Sequence, residues 1–468
     1  MKQRDRGSAR IGKVGMALQR KTSRLGSRFL SLALLAAPLA VGCGGDTELI
    51  DQPAPDGGDG DPDGGVGDPD AGDTRFDDCT KVIAAGSDTE TIQTALIEAK
   101  TGNVLCFEDG TYHIDSELSL TVNDVTLRGN AKDRETVVLD YAKQEQGKDG
   151  LNVTGAGFTI EHMSLKNSPG NTIVVKGSER ITFRNLKVTW DKGSSSDNGA
   201  YAVYPLNSKD VLVEDCEVVG SRDAGIYVGQ SKNIIVRNNV VHGNVAGIEI
   251  ENSDDALVTG NHVYDNTSGI LVFVLPNLEK KTGRGTIVED NIIENNNHSN
   301  FGDEGTTVSF VPPGTGMLVL ASDVTEIRNN KIHGNKTTGV MAISYQTFTT
   351  ICQVSGGKNC VSSDTKTDQD LSKLYVHDNT FADNGQTPDM LVSTLLGDKV
   401  ENVLWDGRKP ADAATEDQLC LGTTSTTLRV FGNQEALNFD INTQSTDATP
   451  YACSLTSPFT SIELAQDK

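Results

Sequence analysis

Three tyrosines and three carboxylates lie close together in the middle of this chain, in a spacing suited to chemistry. Aligning its segments on Ser208, Ser231 and Ser253 stacks Tyr204, Tyr227 and Glu249 in one column, with Glu251 two residues further on. Arg222 and Asp223 enter just before Tyr227, and Gln230 ends that segment. Tyr201 is placed one turn earlier, where Trp190, Asp191 and Lys192 lead into the loop SSSDNG. Rings stack on the C–H faces of sugars, and carboxylates and amides meet their hydroxyls. Proton abstraction beside a sugar carboxylate needs a group that neutralises the carboxylate, a base and an acid. Tyr204, Tyr227, Asp223 and Glu249 are therefore the candidate catalytic residues. Tyr201, Lys192, Arg222, Gln230, Glu251 and Trp190 are the candidate substrate-binding residues. Glu249 and Glu251 also qualify as a glycosidase pair, since two residues along a strand span about 7 Å. The same residues fit a solvated strand face equally well, because tyrosine favours strands.

The element that must position them is a repeat. From Gly225 to Val340 the chain reads GIYVGQSKNIIVRNNVVHGNVA, GIEIENSDDALVTGNHVYDNTS and two longer units of the same pattern. Each unit holds three short runs that alternate with period 2, which fits strands and no helix. A fixed period of this size is one coil of a solenoid per unit, and each coil buries its apolar face only by stacking. Ile226, Val228, Ile248, Ile250, Ile270, Val272, Met317 and Val319 are predicted to face inward. Leu271, Leu318 and Met341 continue the outward column. Two asparagine columns recur, Asn239, Asn261, Asn291, Asn330 and Asn379, and Asn244, Asn266, Asn296, Asn335 and Asn384. An identical amide one coil away satisfies each, so these columns are read as structural.

This pattern resembles the right-handed parallel β-helix repeats of the pectate-lyase-like superfamily. It also resembles bacterial secreted and lipid-anchored β-helix proteins that carry a GIYVGQS…NIIVRNN…GIEIENS run. The resemblance covers roughly residues 85–390. It implies an all-β fold, a right-handed single-stranded parallel β-helix with an N-terminal capping helix. SDTETIQTALIEAK, from Ser87, resembles that cap, with Ser87 and Glu90 as a capping box and Ile92, Leu96 and Ala99 on one face. Residues 76–130 then form the cap and first strands, 131–390 the β-helix, and 391–468 irregular strands that close the C-terminal end.

Residues 1–42 read as a signal peptide: nine Lys or Arg between Lys2 and Arg28, then the apolar run FLSLALLAAPLAV, too short to span a membrane. LAVGC resembles a bacterial lipobox with Cys43 lipidated, and Gly44 after it points to the outer membrane. Residues 43–75 are rich in Gly, Pro and Asp and form a tether with nothing to bury. Its string Asp59, Asp61, Asp63, Gly64 begins like a calcium loop but lacks the closing Glu. The formal net charge of −24 excludes nucleic acid as a partner of the whole surface.

Seven cysteines follow Cys43, and spacing does not fix their pairing. The adopted expectation is Cys79 with Cys106, Cys352 with Cys360 and Cys420 with Cys453, leaving Cys216 buried and inert in the inner asparagine column. Insertions near 274–285, 298–314 and 346–370 leave the body as loops, where binding is usually built. His242 and His333 share an outward column with Tyr264 and Glu294, and no pair has zinc-ligand spacing. No metal site is assigned, and calcium on the carboxylates is the one cofactor with a use here. The expectation is an exported, envelope-anchored protein that binds an acidic polysaccharide and modifies it by lyase or epimerase chemistry. The alternatives are a non-catalytic surface module for adhesion or envelope assembly, with a co-exported protein partner, and an accessory protein of a periplasmic enzyme.

Overall fold

The computed structural model describes residues 74–358, 360–408, 418–422, 426–432 and 443–467. The signal peptide, Cys43 and nearly all of the tether expected from the sequence lie outside the described residues.

Three parallel sheets form the body, one for each run of the repeat. Among the described residues sheet 1 has eleven strands, sheet 2 twelve and sheet 3 ten, and the chain visits them in rotation. In the coil after Asp223 the strands are Ala224–Gly229 in sheet 1, Lys232–Arg237 in sheet 2 and Val240–His242 in sheet 3. Ile226, Val228, Ile248, Ile250, Ile270, Val272, Met317 and Val319 are all buried in one continuous core, as their alternation required.

The corners explain the repeat's asparagines. Asp215, Asn238, Asp290, Asn329 and Asp378 turn each coil from sheet 2 to sheet 3 in the left-handed conformation, at φ between 53° and 56°. Asn and Asp tolerate that region better than other side chains. The residue that follows faces inward. Asn239 Nδ2 donates to Asn261 Oδ1 at 2.9 Å, and Asn261 Nδ2 to Asn291 Oδ1 at 2.9 Å. Each backbone N–H also donates to the Oδ1 above it, 3.0 Å from Asn239 to Asn261. The second column repeats this from Asn244 to Asn384. Cys216 is buried, free, and donates its backbone N–H to Asn239 Oδ1. Burial pushes its thiol up to about 12, so it is inert at neutral pH. The serines used for alignment also stack, Ser208 N–H to Ser231 Oγ and Ser231 N–H to Ser253 Oγ, both at 3.0 Å.

The N-terminal helix is shorter than expected, Thr89–Glu98, with Ile92, Ala95 and Leu96 buried in the core. Its N-cap is Asp88, not Ser87. The Asp88 carboxylate accepts from Thr91 N–H, while the Ser87 hydroxyl is turned back to Ala84 O. The three expected disulfides are present.

The third insertion differs from the expected loop, because Tyr345–Val354 is a helix. Its residues are poor helix formers, rich in Thr with Ile and Val among them. Caps and burial hold it instead. Ser344 Oγ accepts from Thr347 N–H, and the buried Asp406 carboxylate accepts from Ser344 N–H, Ser344 Oγ and Thr347 Oγ1. Residues after 391 do more than close the end. Val403–Trp405 and Leu428–Val430 extend sheet 1, and Leu419–Cys420 extends sheet 2. The tail then runs back along the outside of sheet 2. Leu464 packs on Leu212 and Ile235, and Gln466 Nε2 donates to Ile181 O and Asp210 O.

Candidate active site

The outer wall of sheet 1 changes character along its length. Register pairs Val203 with Ile226 and Tyr227 with Glu249, so Tyr204, Tyr227 and Glu249 stand on consecutive coils, as aligned. Leu271, Leu318 and Met341 continue the column. Phe273, Leu320 and Ile343 form a parallel one. So many apolar side chains outside the coil need a cover. The second and third insertions supply it, with Phe301, Val308, Phe310 and Val311 from one and Phe348 and Cys352 from the other. The solvated strand face weighed from the sequence is therefore corrected to a roofed wall. Tyr227 is 4% exposed, Glu249 2% and Glu251 7%. Tyr201 and Tyr204 at the rim are half-buried.

Beneath this rim the tyrosines and carboxyls form one network. Tyr201 is not a turn earlier; it opens the same strand as Tyr204, Tyr201–Leu206. Their rings stack at 4.6 Å and 11°, and the Tyr227 ring lies 4.7 Å and 4.9 Å from them. The Tyr201 hydroxyl bonds to Asp223. Tyr227 Oη donates to Glu251 Oε1 at 2.5 Å. Glu249 and Glu251 are hydrogen-bonded to each other, which requires a shared proton. Glu249 Oε2 has no partner. Gly229 makes this arrangement possible. It pairs with Glu251 across the sheet, and a Cβ on it would lie 2.2 Å from Tyr227 Oη. The missing side chain is where the Tyr227 ring folds down to reach Glu251.

Electrostatics follow from burial. Asp223 is pushed up to about 7, by burial first and then by Glu251, against the lowering effects of the Tyr201 bond and Arg222. Burial, Glu251 and Asp223 together raise Glu249 well above the carboxylate range. Glu251 is also raised by burial, but less freely, because Tyr227 and Glu249 both donate to it. Burial pushes Tyr204 up to about 12 and Tyr227 well above its usual value, so both phenols are neutral at physiological pH. Glu249 is thus the group that keeps a proton and Glu251 the group that most readily becomes the anion. Glu249 and Glu251 each shift the other's proton affinity and so lie side by side, whereas a glycosidase pair flanks its bond from at least about 5 Å apart.

Four candidates stand elsewhere or act differently. Trp190 is buried in the main core and donates from Nε1 to Ser168 O at 2.7 Å, so it is structural. Lys192 is exposed and paired with Asp197. Gln230 turns the corner to sheet 2 at φ 52°, and its Oε1 accepts from Lys280 N–H. It lines a cleft of about 620 Å³ among Lys209, Lys232, Asp254 and Lys280. That cleft is lined by no aromatic ring and by none of Asp223, Glu249 and Glu251, so size alone does not make it the site. Arg222 stays at the site's edge, ion-paired with Asp303 of the second insertion. Among the described residues no group of three or more His, Cys, Asp or Glu side chains is arranged to hold a metal ion. His262 was not singled out from the sequence. It meets Glu294 Oε1 at 2.7 Å on sheet 3, and His333 lies 3.3 Å from the other oxygen.

A family model described as a right handed beta helix region matches residues 173–351. The solenoid is a right-handed parallel β-helix. Solved β-helix structures resemble it at low identity. The A-module of a mannuronan C-5 epimerase from Azotobacter vinelandii is 14% identical, covers 73% of this chain and 94% of its own, and has a TM-score of 0.44. An alginate lyase from Paenibacillus sp. str. FPU-7 is 16% identical over 65% of this chain and 97% of its own, at 0.37. Endopolygalacturonase I from Stereum purpureum, complexed with two galacturonates, is 14% identical over 65% and 92%, at 0.38. No curated protein matches the chain in sequence.

Proposed function

We propose that this β-helix binds an acidic polysaccharide at the rim of the roofed wall and acts on it by proton abstraction beside a uronate carboxylate. The observation that supports this reading is the buried set Asp223, Glu249 and Glu251 hydrogen-bonded to two of three stacked tyrosines. Burying unpaired carboxyls is costly, and groups with shifted proton affinity gather where protons are moved. Tyr204 and Tyr201 are the partly exposed members of the set, so theirs are the rings a sugar can reach. Tyr227 and Glu251 form a relay. As Tyr227 Oη takes the C5 proton, its own proton passes to Glu251. Protonated Glu249 and the Arg222 guanidinium face the negative charge that develops on the uronate. In a lyase the C4–O bond then breaks and the leaving oxygen takes a proton from the neutral Tyr204 hydroxyl; in an epimerase Tyr204 instead gives its proton to the opposite face of C5, while the abstracted proton stays on Tyr227.

The same reading makes the chain an exported bacterial lipoprotein held by Cys43 in the outer membrane. Its support is the N-terminal sequence. Fatty-acid labelling that survives Cys43→Ser would remove that part of it.

A second reading draws on the burial of Tyr227 and Glu249. There the network only fastens the cover, and the protein is a non-catalytic surface module. One experiment separates the two. Full-length protein is incubated with alginate and pectate, with and without calcium, and unsaturated uronate is followed by absorbance and C5 exchange by deuterium uptake. Turnover lost in Tyr227→Phe and Glu251→Gln supports the first reading. Absence of both signals, with retention on a glycan column that Tyr204→Ala abolishes, supports the second.

A further inference from the structure

We infer that Arg222 is the site's receptor for a substrate carboxylate, and that Asp303 of the covering insertion occupies that receptor as an internal stand-in. This rests on the glycan reading above and adds to it a substrate class, carboxylate-bearing sugars, and a means of entry.

The problem the inference solves is access. Tyr227, Glu249 and Glu251 are almost wholly covered, so a sugar reaches them only if part of the cover moves. The second insertion, residues 298–314, joins sheet 3 to the strand Thr315–Leu320 of sheet 1. Near its two ends it is fixed by backbone bonds, His298 N–H to Asn266 O and Gly314 N–H to Thr267 O. Between them it is braced internally, with Asn300 Nδ2 donating to Val308 O and Val311 O. Its charged contact with the wall is the Arg222–Asp303 ion pair. The insertion is thus a braced flap with fixed roots and one electrostatic latch.

The latch has the chemistry of the substrate. Asp303 presents a carboxylate, the group that distinguishes a uronate from a neutral sugar. Its contact is with a terminal nitrogen of Arg222, while Arg222 Nε is buried and has no partner. A guanidinium binds a carboxylate best through two parallel N–H groups, so this receptor has a donor to spare. Asp303 is 47% exposed and Arg222 25%, and an ion pair this open is weak and readily exchanged. The other candidate cation, Lys192, is already paired with Asp197 in the open. Room for a guest lies beside the latch. A cavity of about 740 Å³ between the two covering segments is lined by Asn300, Gly302, Glu304, Phe310, Gly357 and Lys358. That volume lies within the range of small-ligand pockets, about 300–1,000 Å³. Gly302 abuts Arg222: a Cβ there would sit 3.4 Å from the Arg222 carbonyl oxygen. A uronate carboxylate that replaces Asp303 on Arg222 would release the flap's charged contact, leaving Phe301, Val308, Phe310 and Val311 as its hold on the wall, and place its sugar one residue from Asp223.

The test uses the full-length protein and its Asp303→Asn, Arg222→Gln and Arg222→Lys variants. Calorimetry measures binding of tetragalacturonate and of cellotetraose, a neutral chain of equal length. Hydrogen exchange follows the amides of residues 299–311. Asp303→Asn removes the internal competitor, so it should bind tetragalacturonate about fivefold more tightly, the worth of one exposed ion pair. It should leave cellotetraose unchanged and speed exchange in 299–311. Arg222→Gln should erase the preference for the charged chain, and Arg222→Lys should keep only part of it. Tetragalacturonate binding that is unaltered in Asp303→Asn overturns the inference and leaves the glycan reading standing. Failure of either oligosaccharide to bind any of the four proteins overturns the glycan reading itself, and this assignment with it.

Discussion

Gly229→Ala puts the smallest possible side chain where the Tyr227 ring lies. The added Cβ would meet Tyr227 Oη at 2.2 Å, Cε1 at 2.4 Å and Cζ at 2.5 Å, whereas ordinary contact begins at 3.4 Å. The ring must retreat by roughly 1 Å, and Gly229 sits mid-sheet between two paired strands, so the backbone has little freedom to yield. A retreat of that size stretches the 2.5 Å bond to Glu251 past the hydrogen-bond limit of about 3.2 Å. Overpacking costs about 1–3 kcal/mol, and a bond to a charged group about 1.5–3 kcal/mol. The expected loss is about 2–4 kcal/mol, read from urea unfolding of the full-length protein. Tyr227→Phe keeps the ring and loses only the bond, so it should cost less. Gly229→Ala placed on Tyr227→Ala should cost nearly nothing further, because the ring is gone. Glu251 should also titrate higher in Gly229→Ala by carboxyl NMR, since its Tyr227 donor is what lowers it. If Gly229→Ala unfolds within about 0.5 kcal/mol of the parent, the ring does not occupy that notch and the relay geometry is wrong.

Three further outcomes are expected. Asp223 holds its proton up to about pH 7 when folded and about 3.9 when unfolded, so the folded chain binds more protons between them. Its contribution to stability therefore falls as pH rises through that window and is lowest above 7. Asp223→Asn should accordingly be more stable than the parent at pH 8, by on the order of 4 kcal/mol at most, and little different at pH 4, measured by denaturant midpoints. Asn261→Ala removes the acceptor for Asn239 and the donor to Asn291 and Val236 in a dry core, and should cost about 2–4 kcal/mol in the same assay. Asp406→Ala removes the carboxylate that braces the N-cap Ser344 and Thr347 of helix Tyr345–Val354, and should speed amide exchange there, at a cost of about 1–2 kcal/mol.

The coil itself was legible because its signals are local and repeated. Period-2 runs gave the inward residues, and the two asparagine columns gave the stacking register to the residue. Register in turn carried Tyr204, Tyr227 and Glu249 onto one wall. The roof was not read, although its sign was present. Leu271, Leu318 and Met341 were placed outward by alternation, and large apolar residues outside a coil require something to cover them. Helix Tyr345–Val354 escaped because its composition disfavours a helix and its N-cap Ser344 is braced from Asp406, 61 residues beyond the helix's first residue. Gln230 and Lys192 were grouped with the site by sequence nearness, yet one lies on a corner and the other in the open. Chain neighbours two or three residues apart part company wherever the solenoid turns. The bond between Glu249 and Glu251 depends on side-chain conformations under the roof, which no spacing rule supplies.

The central claim is that the buried tyrosine–carboxyl network moves a proton at C5 of a uronate. The direct measurement is NMR of oligouronates held in heavy water with the full-length protein. Deuterium should appear at C5 of bound-chain residues, or the C5 proton should be lost to an unsaturated product, and both signals should vanish in Glu251→Gln. Chains that bind with no C5 exchange and no unsaturated product, or exchange that persists undiminished in Glu251→Gln, would contradict the account.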